Sequence, residues 1–435
     1  MKKILRILFF GTLLFWGCHR DTHEKPPNII IIMADDLGYG DLSIYDHPDI
    51  DTPHLDLLAK TGIRFTDFHS NGTVCSPTRA ALLSGKYQQR VGIDGVITAK
   101  YDRDKGLSLS EKTFAEYAKE AQYTTGMFGK WHLGYDPKFN PIHQGFDDYV
   151  GFVSGNVDYH SHIDQEGYED WWAGDQLKKE KGYSTDLITD HAVRFIKQHH
   201  QSSFLLYIAH ETPHYPFQGR QSEAERKIRG SENNNFINIG AAENKTELYK
   251  EMVEIMDEGI GVVLQTLKNL EIEEQTFIFF MSDNGASRYG NNGVLKGYKG
   301  SMWEGGHRVA AIANWPGRIT AGQVLDEPLM TMDLFPTVLE LMGAPEKYNI
   351  DGLSFKDYLL LGKKPIKRDL FWQFKKKLAM RSGPWKLVVE NPDLAPQLFH
   401  LDQDIAETTD LASQFPEQRD KLLKKLMQWR DEVNN

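Results

Sequence analysis

The chain has 435 residues, of which 50 are Lys or Arg and 61 are Asp or Glu, so its formal net charge is −11. Hydrophobic residues make up 40% of it, which is too much for a disordered protein. Its two cysteines exclude a disulfide framework and a cysteine-based zinc site. The acidic balance argues against a nucleic-acid-binding protein, which needs a basic surface for phosphates. At roughly 150 residues per domain, the length predicts two to three domains, or a large domain with a smaller one.

Residues 1–18 have the pattern of a secretory signal peptide. A basic start precedes an apolar run at residues 7–16, which is shorter than the about 20 residues that cross a bilayer. Cys18 follows in a segment that resembles a bacterial lipoprotein box, although the aromatic pair before Gly17 departs from the usual small residues. We therefore expect an extracytoplasmic protein, in the periplasm or anchored to the outer membrane. Cys18 would be a lipid anchor, or an ordinary cysteine if the chain is simply secreted.

Three apolar runs, each ending in polar residues, predict buried strands of a parallel sheet. They are residues 28–33, 203–209 and 276–281. Helix-like stretches between them lie at residues 54–61, 110–121, 185–199 and 248–270. Alternating strands and helices predict an α/β fold with a central, mostly parallel sheet flanked by helices. Ligands in such folds collect at the carboxyl ends of the strands.

The pattern changes after about residue 365. Short apolar segments separated by turn residues predict a small antiparallel sheet. These segments are residues 370–375, 378–381, 385–389 and 397–401. A charged amphipathic stretch at residues 415–433 predicts a helix. We therefore expect a large domain over residues 27–365 and a smaller α+β subdomain over residues 366–435.

Carboxylates follow two of the predicted strands. Asp35 and Asp36 end the first, and Asp283 and Asn284 end the third. Each pair alone is also typical of a turn or a helix cap. Burying adjacent carboxylates without a cation is costly, and three carboxylates with one amide suit Ca²⁺ or Mg²⁺. The position of both pairs after buried strands favours a metal site.

Cys75 precedes a predicted helix that starts near Pro77 and stops at Gly85. Arg79 lies about one turn inside, so peptide N–H groups and a guanidinium would converge near Cys75 and suit an anion. The residues alone leave two other interpretations open. Cys75 could be a buried apolar cysteine, or a thiolate nucleophile activated by the helix end.

The segment C-S-P-T-R-A-A-L-L-S-G, residues 75–85, resembles the C-x-P-x-R signature of the type I sulfatases, a family of the alkaline-phosphatase superfamily. Other segments resemble further family blocks and follow the family's order over about residues 27–320. They are A-D-D-L-G at 34–38, G-K-W-H-L-G at 129–134, P-H-Y-P at 213–216, D-N-G at 283–285 and G-Y-K-G-S-M-W-E-G-G at 297–306. The resemblance implies the alkaline-phosphatase-like fold, in agreement with the strand pattern, and a catalytic role for the large domain.

The resemblance also implies that a maturation enzyme oxidises Cys75 to formylglycine. One oxygen of the hydrated aldehyde attacks sulfur and the alcohol leaves; the second hydroxyl then loses its proton and sulfate is expelled. A plain Cys or Ser lacks that second hydroxyl. One Ca²⁺ ion per chain is implied as well. Its ligands would be Asp35, Asp36, Asp283, Asn284 and the modified Cys75.

Further roles follow from the same resemblance. Arg79, Lys130 and Lys299 would supply positive charge for the diol and the sulfate oxygens. His132 is the candidate base for the final step, and His214 the candidate acid for the leaving alcohol, alone or with Lys299. Each also has an ordinary interpretation, a lysine as a solvated charge and a histidine as part of the core.

Two residues that lie close in sequence to these candidates are not assigned to the site. The K-G-x-x-x-E-G-G spacing selects Lys299 over Lys296. His210 precedes the motif residue His214 by four positions, and we expect it to lie behind the site without touching the substrate.

Sulfate esters outside cells are mostly carried by polysaccharides, so we expect a sulfated oligo- or polysaccharide substrate, with the sugar and the sulfate position open. Residues 155–162 and 169–172 combine polar and aromatic side chains and would line a sugar pocket or fill the core. One alternative function is a phosphomonoester or phosphonate hydrolase of the same superfamily. Another is a non-catalytic lipoprotein that binds sulfated glycans, against which the filled catalytic positions speak.

Overall fold

The computed structural model describes residues 25–229, 243–344 and 348–434. The predicted signal peptide and Cys18 lie outside the described residues. Nine helices are described: α1 (Pro53–Lys60), α2 (Cys75–Ser84), α3 (Phe114–Glu120), α4 (Ser184–His199), α5 (Lys245–Asn269), α6 (Glu304–His307), α7 (Leu334–Met342), α8 (Lys356–Leu361) and α9 (Pro416–Val433). Within these ranges, none of the helices combines the length and the apolar character that crossing a membrane requires.

Sixteen strands are described in the same ranges. They are β1 (Asn28–Ala34), β2 (Ile63–Phe65), β3 (Phe68–His69), β4 (Thr124–Lys130), β5 (Asp148–Phe152), β6 (Trp172–Ala173), β7 (Gln176–Leu177), β8 (Phe204–Ala209), β9 (Thr276–Ser282), β10 (Ala311–Asn314), β11 (Gln323–Leu325), β12 (Leu329–Met330), β13 (Asp369–Phe374), β14 (Lys377–Ser382), β15 (Trp385–Val389) and β16 (Gln397–His400). They form one large sheet, a two-stranded ladder of β3 and β12, and a small C-terminal sheet.

The large sheet has ten strands in the order β11-β2-β10-β9-β1-β8-β4-β5-β6-β7. Its five central strands, β9 to β5 in that order, are all parallel, and β10 joins them antiparallel. Alternate residues of β1 enter two different cores. Ile29 and Ile31 pack with residues of α2, α3 and α7, whereas Ile30 and Ile32 pack with residues of α1, α4 and α5. Helices therefore cover both faces, and the predicted α/β class is confirmed.

The C-terminal sheet is antiparallel, in the order β13-β14-β15-β16, as the short segments predicted. Helix α9 packs on it through Leu422, Leu426 and Trp429. The same core includes Tyr87 and Met302 from the larger part of the chain. The small sheet is therefore joined to the rest of the molecule by a shared apolar core.

Of the ten strands in the large sheet, the apolar runs predicted β1, β8 and β9 and missed the other seven. The helix predicted at residues 110–121 is shorter in the structure. Helix α3 begins at Phe114 because Thr113 caps it: its hydroxyl accepts the Glu116 N–H, and the Glu116 carboxylate accepts the Thr113 N–H. Strand β4 was not predicted, since its sequence T-T-G-M-F-G-K has no continuous apolar run. Gly129 is required there, because a Cβ would lie 2.0 Å from the Ala209 carbonyl oxygen of β8.

Candidate active site

The predicted site residues meet at the carboxyl edge of the large sheet. Asp35 and Asp36 follow β1, Lys130 ends β4, and Asp283 and Asn284 follow β9. Cys75 is the first residue of α2, and the segments after β4 and β8 and before α6 contribute His132, His214 and Lys299. All are buried except Lys299, whose side chain is 21% exposed. The structure thus brings together every residue that the motifs selected, from widely separated parts of the chain.

Three carboxylates and one amide form the centre of this cluster. The Asp36 N–H donates to Asp283 Oδ1 at 3.2 Å, and Asn284 Nδ2 donates to Asp36 Oδ1 at 2.8 Å. Burial and the neighbouring Asp35 raise the pKa of Asp283 to about 6. Burial also works to raise the pKa of Asp36, but the charges of nearby side chains hold it below its usual range. Adjacent buried carboxylates of this kind call for positive charge.

Three cationic side chains surround the carboxylates. Arg79 donates to Asp283 Oδ2 from two nitrogens, and Lys130 Nζ pairs with Asp35 Oδ2. Lys299 Nζ lies 2.6 Å from Asp36 Oδ1. Burial works to lower the pKa of Lys130, but Asp35 holds it above its ordinary value. Three carboxylates thus face three cations.

The thiol of Cys75 lies between an acidic and a basic partner. It donates to Asp35 Oδ1 and accepts from Lys299 Nζ, both at 3.3 Å from Sγ. Burial, reinforced by Asp35, raises the pKa of Cys75 well above its ordinary value. These surroundings favour the neutral thiol, so they speak against the interpretation as a thiolate activated by the helix end.

The two candidate histidines are buried and neutral. His132 Nε2 lies 3.0 Å from the Ile97 carbonyl oxygen, which assigns the proton to Nε2, and its Nδ1 has no hydrogen-bond partner among the described residues. Burial and the charges of Lys130 and Arg79 hold the pKa of His132 well below its ordinary value. His132 has a φ of 57°, and a Cβ at Gly155 would lie 2.9 Å from its ring, so a tight turn and a glycine fix its position.

His214 has the opposite tautomer. Its Nδ1 lies 2.7 Å from the Tyr215 carbonyl oxygen and carries the proton, and its Nε2 lies 3.7 Å from Asp36 Oδ2. Burial lowers the pKa of His214 well below its ordinary value, although Asp36 opposes the shift. An unprotonated nitrogen therefore faces the carboxylate cluster.

The structure also shows the surroundings of Lys296 and His210, the two residues that were not assigned to the site. Lys296 donates to the Glu407 carbonyl oxygen at 3.0 Å and covers the Trp303 ring, away from Cys75. His210 is buried at the end of β8, and burial lowers its pKa to about 4.

A cavity of about 500 Å³ adjoins the cluster. Cys75, His132, His214 and Lys299 form part of its wall. The lining also includes Thr98–Tyr101, Tyr135, Ser154–Asn156, Gln165, Glu166 and Tyr215. Of the predicted sugar-pocket segments, the structure brings Gly155 and Asn156 to the cavity.

The Glu169–Trp172 segment is not part of that wall. Trp171 is buried and stacks on His162, with the ring centres 4.4 Å apart, so packing accounts for it. The sequence pattern does not indicate that residues 98–101 reach the cavity, because they lie in an irregular segment without apolar periodicity.

The donor set at the sheet edge fits a hard cation. Ligand atoms of Asp35, Asp36, Cys75 and His214 lie within 4.8 Å of one another. Asn284 Oδ1 is buried and accepts no hydrogen bond from any described residue, so an amide oxygen is left over next to the carboxylates. Of these donors, the carboxylate oxygens of Asp35 and Asp36 and the amide oxygen of Asn284 are of the type that suits Ca²⁺ or Mg²⁺.

A ten-stranded α/β sheet with buried carboxylates, lysines and the C-x-P-x-R helix at one edge defines a hydrolase of the alkaline-phosphatase superfamily. The family model described as Sulfatase matches residues 27–344. The chain therefore belongs to the sulfatase family and is a sulfuric ester hydrolase, which confirms the family inferred from the motifs.

Named relatives agree with this placement. The chain is 32% identical over 458 residues to N-acetylgalactosamine-6-sulfatase of Mus musculus, covering 92% of this chain and 84% of the relative. It is 34% identical over 403 residues to arylsulfatase A of Homo sapiens, covering 83% and 74%. The crystal structure of Ps i-CgsB in complex with k-i-k-neocarrahexaose has a TM-score of 0.83 and 29% identity, covering 94% of each chain.

Proposed function

We propose that this enzyme removes sulfate from a sulfated carbohydrate, with residue 75 in the formylglycine form and one Ca²⁺ ion at the carboxylate cluster. One observation carries the proposal. The side chain of Cys75, inside the C-x-P-x-R signature, is part of the cavity wall and lies 3.3 Å from both Lys299 Nζ and Asp35 Oδ1. The residue that would be modified is thus at the meeting point of the cavity, the cations and the carboxylates.

The metal would be held by Asp35, Asp36, Asp283 and Asn284 together with the modified residue 75. When bound, it would supply a Lewis acid that polarises a sulfate oxygen and lowers the pKa of the diol. Its charge would also turn a balanced group of three carboxylates and three cations into a positive site suited to an anionic ester. The leftover oxygen of Asn284 supports this assignment.

The modified residue would be a geminal diol, of which one oxygen attacks sulfur and the other, on losing its proton, expels sulfate. Lys299 and Lys130 are held by Asp36 and Asp35, so their ammonium groups are fixed beside the reacting atoms. Arg79 fixes the carboxylate of Asp283. Charge that is positioned in advance stabilises a developing anion without reorganisation.

The histidines would move the protons. His132 keeps Nε2–H on the Ile97 carbonyl oxygen and has Nδ1 as its only basic nitrogen, which suits a base that accepts the diol proton. His214 presents an unprotonated Nε2, so it would first have to gain a proton before it could serve the leaving alcohol, or would leave that task to Lys299. Both are buried, so water competes little for these protons.

The carbohydrate assignment is supported by relatives and by the cavity. One relative is named for N-acetylgalactosamine 6-sulfate, and one similar structure holds k-i-k-neocarrahexaose. The cavity wall offers aromatic rings at Tyr101, Tyr135 and Tyr215 and amides at Asn156 and Gln165. Such groups can stack on sugar rings and bond to hydroxyl groups.

We further propose that residues 27–365 act as the catalytic domain and residues 366–435 as its smaller companion. A formylglycine-maturation enzyme would be a transient partner. The N-terminal pattern supports an extracytoplasmic site, in the periplasm or at the outer membrane, with membrane contact only through a lipid on Cys18.

Sulfate and phosphate esters of one alcohol test the reaction class. We expect a higher kcat/KM for the sulfate ester, and sulfate release from k-i-k-neocarrahexaose or an N-acetylgalactosamine 6-sulfate glycan. Faster cleavage of the phosphate or phosphonate ester would favour the alternative hydrolase. Tight binding of the glycan with no turnover by the matured protein would favour the non-catalytic binding protein.

A further inference from the structure

The loop that carries Lys299 is held by the C-terminal sheet. Lys377 Nζ, on β14, donates to the Gly300 carbonyl oxygen at 3.1 Å. Glu390, directly after β15, accepts the Met302 N–H through Oε2 at 2.8 Å. The two side chains also pair with each other through Nζ and Oε1. Two linked residues of the C-terminal sheet therefore fix the peptide groups that follow Lys299.

The other side of this loop contacts the segment that leads into Cys75. The Gly300 N–H donates to the Thr73 carbonyl oxygen at 2.7 Å, and the Lys299 N–H donates to the Ala286 carbonyl oxygen at 2.9 Å. The residue 300 peptide unit and its neighbours are thus clamped between the start of α2 and the C-terminal sheet. The position of the Lys299 backbone depends on both sides of this clamp.

Both ends of the loop contact Glu407. Lys296 Nζ donates to the Glu407 carbonyl oxygen at 3.0 Å, and the Glu304 N–H donates to Glu407 Oε2 at 2.7 Å. Lys386 of β15 lies 2.8 Å from Glu304 Oε1 in a fully buried pair. The contacts of Glu304 are buried and that of Lys296 is partly buried, whereas the Lys377–Glu390 pair lies at the middle of the loop.

We propose that Glu390 and Lys377 are positioning residues for Lys299, and through it for the group at position 75. The inference rests on the proposed catalytic role of Lys299, whose Nζ lies 3.3 Å from Cys75 Sγ. Neither Glu390 nor Lys377 is part of the cavity wall described above. A displacement of about 1 Å can lower a reaction rate by about a hundredfold, so the C-terminal sheet would control turnover without touching substrate.

Partial exposure makes the pair suitable for mutation. The side chains of Lys377 and Glu390 are 35% and 25% exposed, and exposed ion pairs contribute little to stability. Glu390→Ala removes the acceptor and the ion pair, and Lys377→Met removes the donor to Gly300. Glu390→Gln keeps an acceptor oxygen for Met302. We expect the first two variants to have a kcat at least about tenfold lower than that of the wild type, with KM changed by no more than about twofold. Glu390→Gln should retain most of the wild-type kcat.

Lys425→Met is the matched control. Lys425 joins α9 to Asp369 of β13 at 2.6 Å, with side chains 40% and 24% exposed, and its described partner is not in the Lys299 loop. We expect this variant to keep the wild-type kcat while its unfolding temperature matches that of Lys377→Met. A general weakening of the C-terminal sheet would instead affect both variants alike and would overturn the inference.

Lys299→Ala, assayed in parallel on the sulfate ester, tests the catalytic role of Lys299 separately from the positioning role of Glu390 and Lys377. If it turns over at the wild-type rate, the role proposed for Lys299 is wrong. If it is strongly impaired while Glu390→Ala and Lys377→Met keep the wild-type kcat, the positioning role is wrong and the proposed function stands. Impairment of all three, with Lys425→Met unaffected, is the expected result.

Discussion

Arg79 and Asp283 are joined by two hydrogen bonds to a single oxygen. Nε and Nη2 of Arg79 lie 3.2 and 2.9 Å from Asp283 Oδ2, and both side chains are buried. Arg79 Nη1 also donates to the Lys130 carbonyl oxygen at 3.1 Å. The guanidinium therefore ties α2, β4 and the end of β9 together. A lysine has one nitrogen at the end of a flexible chain and cannot make these three bonds at once.

Arg79→Lys should impair both turnover and stability. Misaligning Asp283 at the site should lower kcat by about a hundredfold, and leaving buried acceptors unsatisfied should lower the free energy of unfolding by about 2 kcal/mol. The matched control is Arg90→Lys, whose Nε contacts both oxygens of Asp351 at 3.1 and 3.0 Å with a side chain 31% exposed. Weakening that partly exposed ion pair should lower the free energy of unfolding by about 1 kcal/mol or less. Equal losses in the two variants would contradict this account.

Cys75 should be found as an aldehyde in protein produced together with the maturation enzyme. The peptide that contains it should be about 18 Da lighter than the thiol form, measured by mass spectrometry after digestion. Cys75→Ala should remove turnover while leaving the unfolding temperature close to that of the wild type, because residue 75 sits at the cavity wall. Substantial turnover by Cys75→Ala, or an unmodified thiol in fully active protein, would refute the proposal.

Removal of the cation should destabilise the protein as well as inactivate it. Without the ion, the carboxylates of Asp35, Asp36 and Asp283 remain close together and buried. Refilling with Ca²⁺ at about 100 times its dissociation constant should restore about 2.7 kcal/mol of unfolding free energy. Thermal unfolding after chelation, with Ca²⁺ or Mg²⁺ added back, measures this without an activity assay. An unchanged unfolding temperature, in protein shown by elemental analysis to be metal-free, would exclude the assignment.

The motifs predicted the site better than they predicted its surroundings. Strand β1 was predicted because N-I-I-I-I-M is apolar on both faces, and the residues at its end therefore fell at the sheet edge. The resemblance to the family's K-G-x-x-x-E-G-G block selected Lys299 over Lys296, and the structure brings Lys299 and not Lys296 next to Cys75. Polar residues at the ends of strands come together at the sheet edge once those strands lie side by side in the sheet.

Contacts set by tertiary packing could not be predicted in this way. Gly300 and Lys377 are 77 positions apart, and Lys296 and Glu407 are 111 apart. Nothing local in either segment indicates its partner. The position of Tyr101 at the cavity wall could not be predicted either, because its segment is irregular and has no apolar periodicity.

His210 should make stability depend on pH. Burial lowers its pKa to about 4, against 6.5 for the free side chain, so below pH 6.5 the unfolded chain binds a proton that the folded chain does not. The stability it contributes is present above pH 6.5 and is lost as the pH falls towards 4. A pKa shift of this size corresponds to about 3 kcal/mol of unfolding free energy.

The test compares His210→Leu with the wild type by urea unfolding at pH 7 and pH 4.5. The decrease in unfolding free energy between these values should be smaller in His210→Leu by about 2–3 kcal/mol, because leucine binds no proton in either state. Loss of hydrogen bonding should be small, since His210 Nδ1 has no partner in the described part of the chain. His143→Gln, at an exposed position, is the control and should keep the wild-type pH dependence. The same decrease in His210→Leu as in the wild type would show that His210 is not the group that stays neutral.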